Sequence, residues 1–409
     1  AIAVYKEVVE SDPNNLVALK GLERLYAKVE RWTELREVLE AQLEVVNTER
    51  ERISLLMRLA AMWEEEFVKP DIAAERLEQV LEINPGHVEA LTGLARLYRA
   101  ARKWDQLVDT YERHIDATPD KSEKIRLFKA QGGVLEANLD DLHRAIDAYL
   151  AVIDLDAEDV EALDALSKLY IKTEDYSAAL DVLERLAPLV EDPADRVRLE
   201  ARIGSLLEEH IGDRALAIDH YQKALDIDPK HLPSLEALRA IYLDSGDWLD
   251  AARVLRQEVE SNDSARVKAA RLVELGHVFD QRLDEHEQAV EVWEEALKHD
   301  PDCEEAALPL VDEYVGKEQW GEAYPLLDLL VKTSDKREKE EQHRLAELLG
   351  RAAMKVGEIE EAIKAYTKAH QLDPQHLPSL VGLANALFAA EDWDKAFKHY
   401  QMLLVQHRD

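Results

Sequence analysis

Four ladders of residues run through this chain with one common period, and no other feature restricts its possible folds as much. Prolines stand at Pro13, Pro85, Pro229, Pro301 and Pro374, with Ala157 in the vacant slot. Trp32, Trp104, Tyr176, Trp248, Trp320 and Trp393 form a second series, and Tyr26, Tyr98, Tyr170, Tyr242, Tyr314 and Leu387 a third. The fourth is alanine: Ala1, Ala73, Ala145, Ala217, Ala289 and Ala362. Successive rungs lie 72 residues apart until a last step of 73. A fixed period of this kind marks stacked copies of one supersecondary unit, each unable to bury its apolar face alone.

Each unit reads as two similar halves. Leu91, Leu94, Ala95 and Tyr98 recur at helical spacing, and after Ala101-Arg102-Lys103 a second helix carries Leu107, Tyr111 and Ile115 on one face. Pro119 ends it, because proline cannot donate inside a helix and biases its predecessor away from helical geometry. The second half (Ile125, Phe128, Gly132, Leu135, then Ala145, Tyr149, Val152) has a first helix some turns longer. Only 14 glycines and 13 prolines in 409 residues agree with an all-α chain. The pattern predicts 23 helices, one alone and then eleven hairpins, short and long in alternation. Alanine rungs mark close helix crossings, where a larger side chain costs about 1–3 kcal/mol. The Trp and Tyr that open second helices are expected to fill wedges between hairpins, with truncation to Ala costing about 3–5 kcal/mol.

The spacing L-x2-L-[AG]-x2-Y, then A-x3-[YFW], then P, resembles the tetratricopeptide repeat, a helix–turn–helix unit of about 34 residues. Ala346, Leu349, Gly350, Ala362, Tyr366, Ala369 and Pro374 follow it without a gap, and Leu380, Leu383, Ala384, Ala396 and Tyr400 repeat it. The half-a-TPR repeats of RNA-processing scaffolds are similar, but the regular prolines and the Ala-x3-aromatic signature favour the first family. The resemblance implies a right-handed superhelical solenoid of antiparallel helix pairs. Residues 1–409 are expected to form one such array, with an incomplete first repeat at 1–13, cut from a longer one. Alternate halves are about four residues too long for the family. Glu23 and Arg239 stand where a small residue is usual, and looser packing is expected there.

Chemistry finds no foothold. Neither His210 nor His286 has a second histidine four residues away, and both are expected to be solvated. Asp154, Asp156, Glu158 and Asp159 lack the glycine and closing glutamate of a calcium loop and read as helix capping. Gly132-Gly133 follows no strand, so it is a packing site and not a phosphate loop. Cys303, the single cysteine, has no partner histidine in a catalytic motif and excludes an internal disulfide. Lys and Arg total 51 against 86 Asp and Glu, a net charge of −35 that repels nucleic acid and anionic lipid. No run approaches 18 apolar residues, so no membrane insertion is expected. The expectation is therefore no enzyme, no cofactor, no metal, no nucleic acid and no small-molecule substrate. With no targeting segment in the sequence, the cytoplasm is the expected compartment.

Function is left to the surface. The resemblance implies a protein–protein interaction scaffold that binds peptide or helical segments of partner proteins in a concave groove. The alternative is a substrate-recruiting segment of a larger enzyme or assembly whose catalytic domain lies outside this chain. In the family the groove is lined by a lane on each first helix, beside the leucine stripe. Here that lane carries Lys20, Arg24, Arg96, Arg99 and Lys168 in the first three short hairpins. In the last three it turns apolar, with Leu243, Leu308, Val315 and Phe388. The longer helices add Arg126, Lys129 and Arg198. A polarised groove is expected, taking an acidic segment of the partner beside the basic set and an apolar one beside the second. The family's carboxylate clamp for chaperone C-termini is expected to be absent. Lys20 fits its first lysine, but Arg24, Thr92, Gly93 and Asp164 break the remaining pattern. A calorimetric titration with a peptide ending in Glu-Glu-Val-Asp should show no specific binding; micromolar affinity would contradict this.

Overall fold

The computed structural model describes residues 1–406. Among these every regular element is helical, with 23 α-helices from Ile2–Ser11 (α1) to Trp393–Gln406 (α23). Two compact units are distinguished. Residues 1–192 hold α1 to Tyr176–Leu186 (α11), and Pro193–Leu206 (α12) opens the second unit, which ends with α23. Within each unit, every helix packs on its predecessor and its successor in the chain.

Capping sets where many helices begin. Asn15 accepts a hydrogen bond from Ala18 N at 3.1 Å ahead of Leu16–Lys28 (α2). Asp159 does the same for Ala162 N at 2.9 Å ahead of Val160–Lys172 (α10), which makes the acidic run 154–159 a capping turn. The long hairpins exceed the short ones by about one turn. Their first helices, such as Glu49–Glu65 (α4) and Ala265–Arg282 (α16), have 17 and 18 residues against 13 in α2. In Lys121–Val134 (α8) and α12 the added length takes the form of a π-helical turn, Leu135–Leu139 and Leu207–Ile211.

Close approach is built from small residues. Ala73, Ala145, Ala217, Ala289 and Ala362 are all fully buried. In the long hairpins a glycine of the first helix receives an aromatic ring from the second: Gly132 beneath Tyr149, Gly204 beneath Tyr221, Gly276 beneath Trp293. Trp293 is 1% exposed, and a Cβ on Gly276 would fall 2.1 Å from its Nε1. The tryptophans that open second helices fill the wedges in part, with Trp32, Trp248 and Trp320 packed against the core at one side. Trp32, Trp104, Trp248 and Trp320 are half-buried, and Trp393 is exposed. Part of the cover they do have is cationic, since Arg282 lies over Trp248 at 4.7 Å and Arg351 over Trp320 at 5.5 Å. A ring at a helix start sits at the edge of the hairpin, where the next hairpin covers one side only.

Glu23 and Arg239 do not mark loose packing. Glu23 accepts from Gln42 Nε2 at 2.7 Å and Arg58 at 2.5 Å, and Arg239 donates to the buried Glu258 at 2.8 Å. Arg271 donates to the other oxygen of Glu258 at 2.6 Å. Charge pairing fills the space that small residues fill elsewhere, because a buried charge survives only with its partner in place.

Each hairpin turn places one residue in the left-handed region. Glycine occupies it at Gly212, Gly246 and Gly357, and other residues occupy it elsewhere, among them Glu30, Val68, Arg102 and Glu174. Val68, at φ 51°, is the β-branched case and is exposed. Val68→Gly should therefore stabilise the protein by about 1 kcal/mol. Gly276→Ala, which forces a methyl into Trp293, should destabilise it by about 1–3 kcal/mol. Urea unfolding midpoints of the two variants are expected to move in opposite directions.

Candidate functional site

The basic lane of the first unit meets two cavities built alike. The first, about 310 Å³, lies between α2, Trp32–Val45 (α3) and α4 and is lined by Lys20, Glu23, Arg24, Gln42, Glu51 and Arg58 among others. The second, about 430 Å³, lies between Val88–Ala100 (α6), Trp104–Ala117 (α7) and α8. Its wall includes Thr92, Arg96, Arg99, Tyr111, His114 and Arg126. The 72-residue spacing relates the linings: Arg96 stands where Arg24 does, His114 where Gln42 does, Ala95 where Glu23 does, and Ala130 where Arg58 does.

Charge is handled differently in the two. In the first cavity Lys20 pairs with Glu51 at 3.3 Å, and Glu23 is held by Gln42 and Arg58, so the wall is neutralised from within. A hydrogen bond from the Thr48 hydroxyl and then the Lys20 pair hold the Glu51 carboxyl below its usual range. The wall of the second contains no carboxylate. Arg96 is clamped by both oxygens of Glu64, whose carboxyl it holds down, and Arg126 by Glu123. Arg99 donates to the Tyr111 hydroxyl. His114, 2% exposed, has a buried Nε2 without a hydrogen-bond partner. Burial pushes its imidazole below the ordinary value of 6.5, with smaller opposed effects from Glu123 and Arg126.

The other lane residues are placed separately. Lys168 is exposed and pairs with Asp164 one turn away at 2.6 Å. In the second unit Leu243 packs against the core that contains Leu255 and Trp293. Leu308 and Val315 pack against the one that contains Leu327 and Leu330. Phe388 alone of the apolar set stands out, 54% exposed with its ring edge-on to Trp393 at 5.0 Å. Arg126 proves to belong to the second cavity, whereas Lys129 is turned to Asp159 and Glu161 at 2.7 and 2.8 Å.

Sequence reasoning passed over His114 and placed Tyr111 with Leu107 and Ile115 on the apolar face of a second helix. A signal existed: the position of His114 is polar in three units (Gln42, His114, Glu258) and leucine in three (Leu186, Leu330, Leu403). His286, expected to be solvated, bridges Asp280 at 2.8 Å and Glu313 at 3.1 Å, and those two bonds raise its pKa. Among the described residues no cluster of three His, Cys, Asp or Glu could hold a metal ion, and no helix is long and apolar enough to cross a membrane.

Comparison with known proteins gives a consistent picture. Models described as tetratricopeptide repeat match residues 18–53, 90–125, 162–197, 201–231 and 353–409. Superkiller protein 3 of Schizosaccharomyces pombe is 25% identical over 175 residues, which cover 42% of this chain and 12% of that protein. DnaJ protein P58IPK homolog B of Oryza sativa subsp. japonica is 22% identical over 331 residues, covering 78% and 56%. The chain thus spans less than two thirds of either relative. Among solved structures, Naa15/Naa10 bound to HypK-THB aligns over 97% of this chain and 64% of that one, with a TM-score of 0.41 and 14% identity. YrrB, described as a TPR protein with an unusual peptide-binding site, aligns over 58% and 98%, with a TM-score of 0.31 and 16% identity.

The histidine at the floor of the second cavity gives a pH test. Its pKa is depressed in the fold, so its contribution to stability is complete above 6.5 and is lost as pH falls through the depressed value. His114→Gln should flatten the dependence of the urea midpoint on pH below 6.5 and leave the slope above it unchanged.

Proposed function

The chain belongs to the tetratricopeptide repeat family, and on that premise we propose that it is a non-catalytic scaffold for protein–protein interaction. Its first unit takes an acidic segment of a partner, along Lys20, Arg24, Arg96, Arg99 and Lys168. Its second takes an apolar segment at Phe388, the one exposed member of the apolar lane, since Leu243, Leu308 and Val315 pack against the core. One observation carries the reading most. Lane residues of two successive repeats line cavities made from equivalent sets of three helices, and in a chain of net charge −35 the charged residues in the wall of one of them are all arginines. Concentrating like charge at a concave surface raises the local concentration of an opposite partner and speeds encounter. The cytoplasm is part of the same proposal. The alternative, a recruiting segment of a larger assembly, draws on the length by which the matched relatives exceed the aligned region.

The test begins with affinity capture from native lysate and identification of the bound protein by mass spectrometry. Affinity for that protein is then measured for two variants at two salt concentrations. Arg96→Glu should weaken binding about tenfold at low salt, with the loss shrinking as salt rises. Phe388→Ala should weaken it by about tenfold with little salt dependence. Equal salt slopes, or unchanged affinity in either variant, would remove the proposed division of labour.

A further inference from the structure

The repeat supplies its own control for what the second cavity is for. At the mouth of the first cavity the carboxylate of Glu23 lies between Gln42 Nε2 at 2.7 Å and Arg58 at 2.5 Å. In the second unit the related position, Arg239, reaches the buried carboxylate of Glu258, which Arg271 holds from the other side at 2.6 Å. The fold thus repeatedly brings an oxyanion and its donors together between a first helix, its second helix and the next first helix. In the second cavity the oxyanion is absent and the donors come from other positions, since Ala130 stands where Arg58 does. Glu23 is replaced by Ala95, and the wall carries Arg96, Arg99 and Arg126 above His114.

The donors keep unused capacity. A guanidinium has five N–H groups. Arg96 faces Glu64 with its two terminal nitrogens, which leaves its Nε edge, and Arg126 meets Glu123 through Nε and one terminal nitrogen, which leaves the other. The two glutamates fix these side chains in place without contributing to the wall. Arg99 is engaged only by the Tyr111 hydroxyl and, through its face, by the Tyr111 ring at 6.0 Å. Below them His114 offers a buried ring nitrogen with no partner, an arrangement that costs free energy unless something accepts from it or donates to it.

We propose that this cavity is a subsite for a phosphorylated side chain of the bound partner segment, held by Arg96, Arg99 and Arg126 with His114 and Tyr111 at its base. The proposal rests on the scaffold reading and narrows it. The donor count separates phosphate from carboxylate. Where one guanidinium and one amide serve Glu23, this cavity is lined by three guanidiniums, two of them also paired with Glu64 and Glu123, together with an imidazole and a phenol. That exceeds the demand of a single carboxylate and suits a dianion with three acceptor oxygens. A volume of about 430 Å³ admits a phosphorylated serine or threonine side chain with room for water.

The test uses the full chain and small anions, so it needs no partner protein. The ring resonances of His114, assigned by their loss in His114→Gln, are followed by NMR during titration with inorganic phosphate. Acetate is titrated in parallel, and chloride keeps ionic strength constant. The pH is held well above the second ionisation of inorganic phosphate, which lies higher than the value of about 6 of a phosphorylated side chain, so that the probe is a dianion. Phosphate should give a saturable shift at concentrations where acetate gives a weaker one. Arg99→Gln and Arg126→Gln should each weaken phosphate binding about tenfold, the loss expected for one charge-assisted hydrogen bond. Ala95→Glu, which returns a carboxylate to the place of Glu23, should abolish it, with helicity by circular dichroism confirming that each variant folds. A shift that never saturates, or phosphate affinity unchanged in both arginine variants, overturns the site. Acetate binding as tightly as phosphate overturns the assignment to a phosphorylated side chain. Failure of the scaffold reading would look different: loss of protein capture with the anion titration intact.

Discussion

Everything in this protein depends on helices approaching one another closely at positions that tolerate no larger side chain. The buried alanine rungs and the glycines beneath Tyr149, Tyr221 and Trp293 set the distance between the two helices of a hairpin. Once that distance is fixed, the leucines of the first helix and the aliphatic residues of the second meet at van der Waals range, where burial is worth about 1.5–3 kcal/mol for each large side chain. Each hairpin still has one apolar face left over, and the following hairpin covers it. Stability is therefore collective along each unit, and a single bulky residue at a crossing is felt by two neighbours.

Polar residues inside this framework come in matched sets. Glu23 with Gln42 and Arg58, and Glu258 with Arg239 and Arg271, occupy sites where other units place alanine, serine or leucine. Glu200 and His220 form a further buried pair at 2.7 Å. Desolvating an unpaired charge costs several kcal/mol, so each member is tolerated only because the repeat brings its partner from the adjacent helix. The second cavity departs from this rule at His114, whose buried Nε2 has no partner, while the acids that pair with Arg96 and Arg126 lie outside its wall.

The acidic surface acts in the same direction. Several basic side chains of the first helices are drawn to carboxylates on neighbouring hairpins, as Lys172 is to Asp140 and Lys129 to Asp159. Where exposed, such pairs contribute little to stability, since water and salt screen them. Arg99 differs from these pairs in that it donates to a phenol, the Tyr111 hydroxyl.

The periodic residues by themselves determined the all-helical fold, the number and order of the hairpins and the alternation of short and long ones. Helical periodicity, capping and proline termination are local, and repetition multiplies their signal. They also placed Lys20, Arg24, Arg96 and Arg99 on one lane, because residues three and four apart on a helix share a face. Sequence could not show that Arg239 is paired and not loosely packed, that the helix-opening tryptophans are only half-covered, or that Leu308 and Val315 turn toward the core. Nor could it show that Arg126 and His114 share a cavity with Arg96 and Arg99. Those facts depend on which side chains from three different helices meet in space, and the rotation of each helix about its axis is set by packing against its neighbours, not by its own residues.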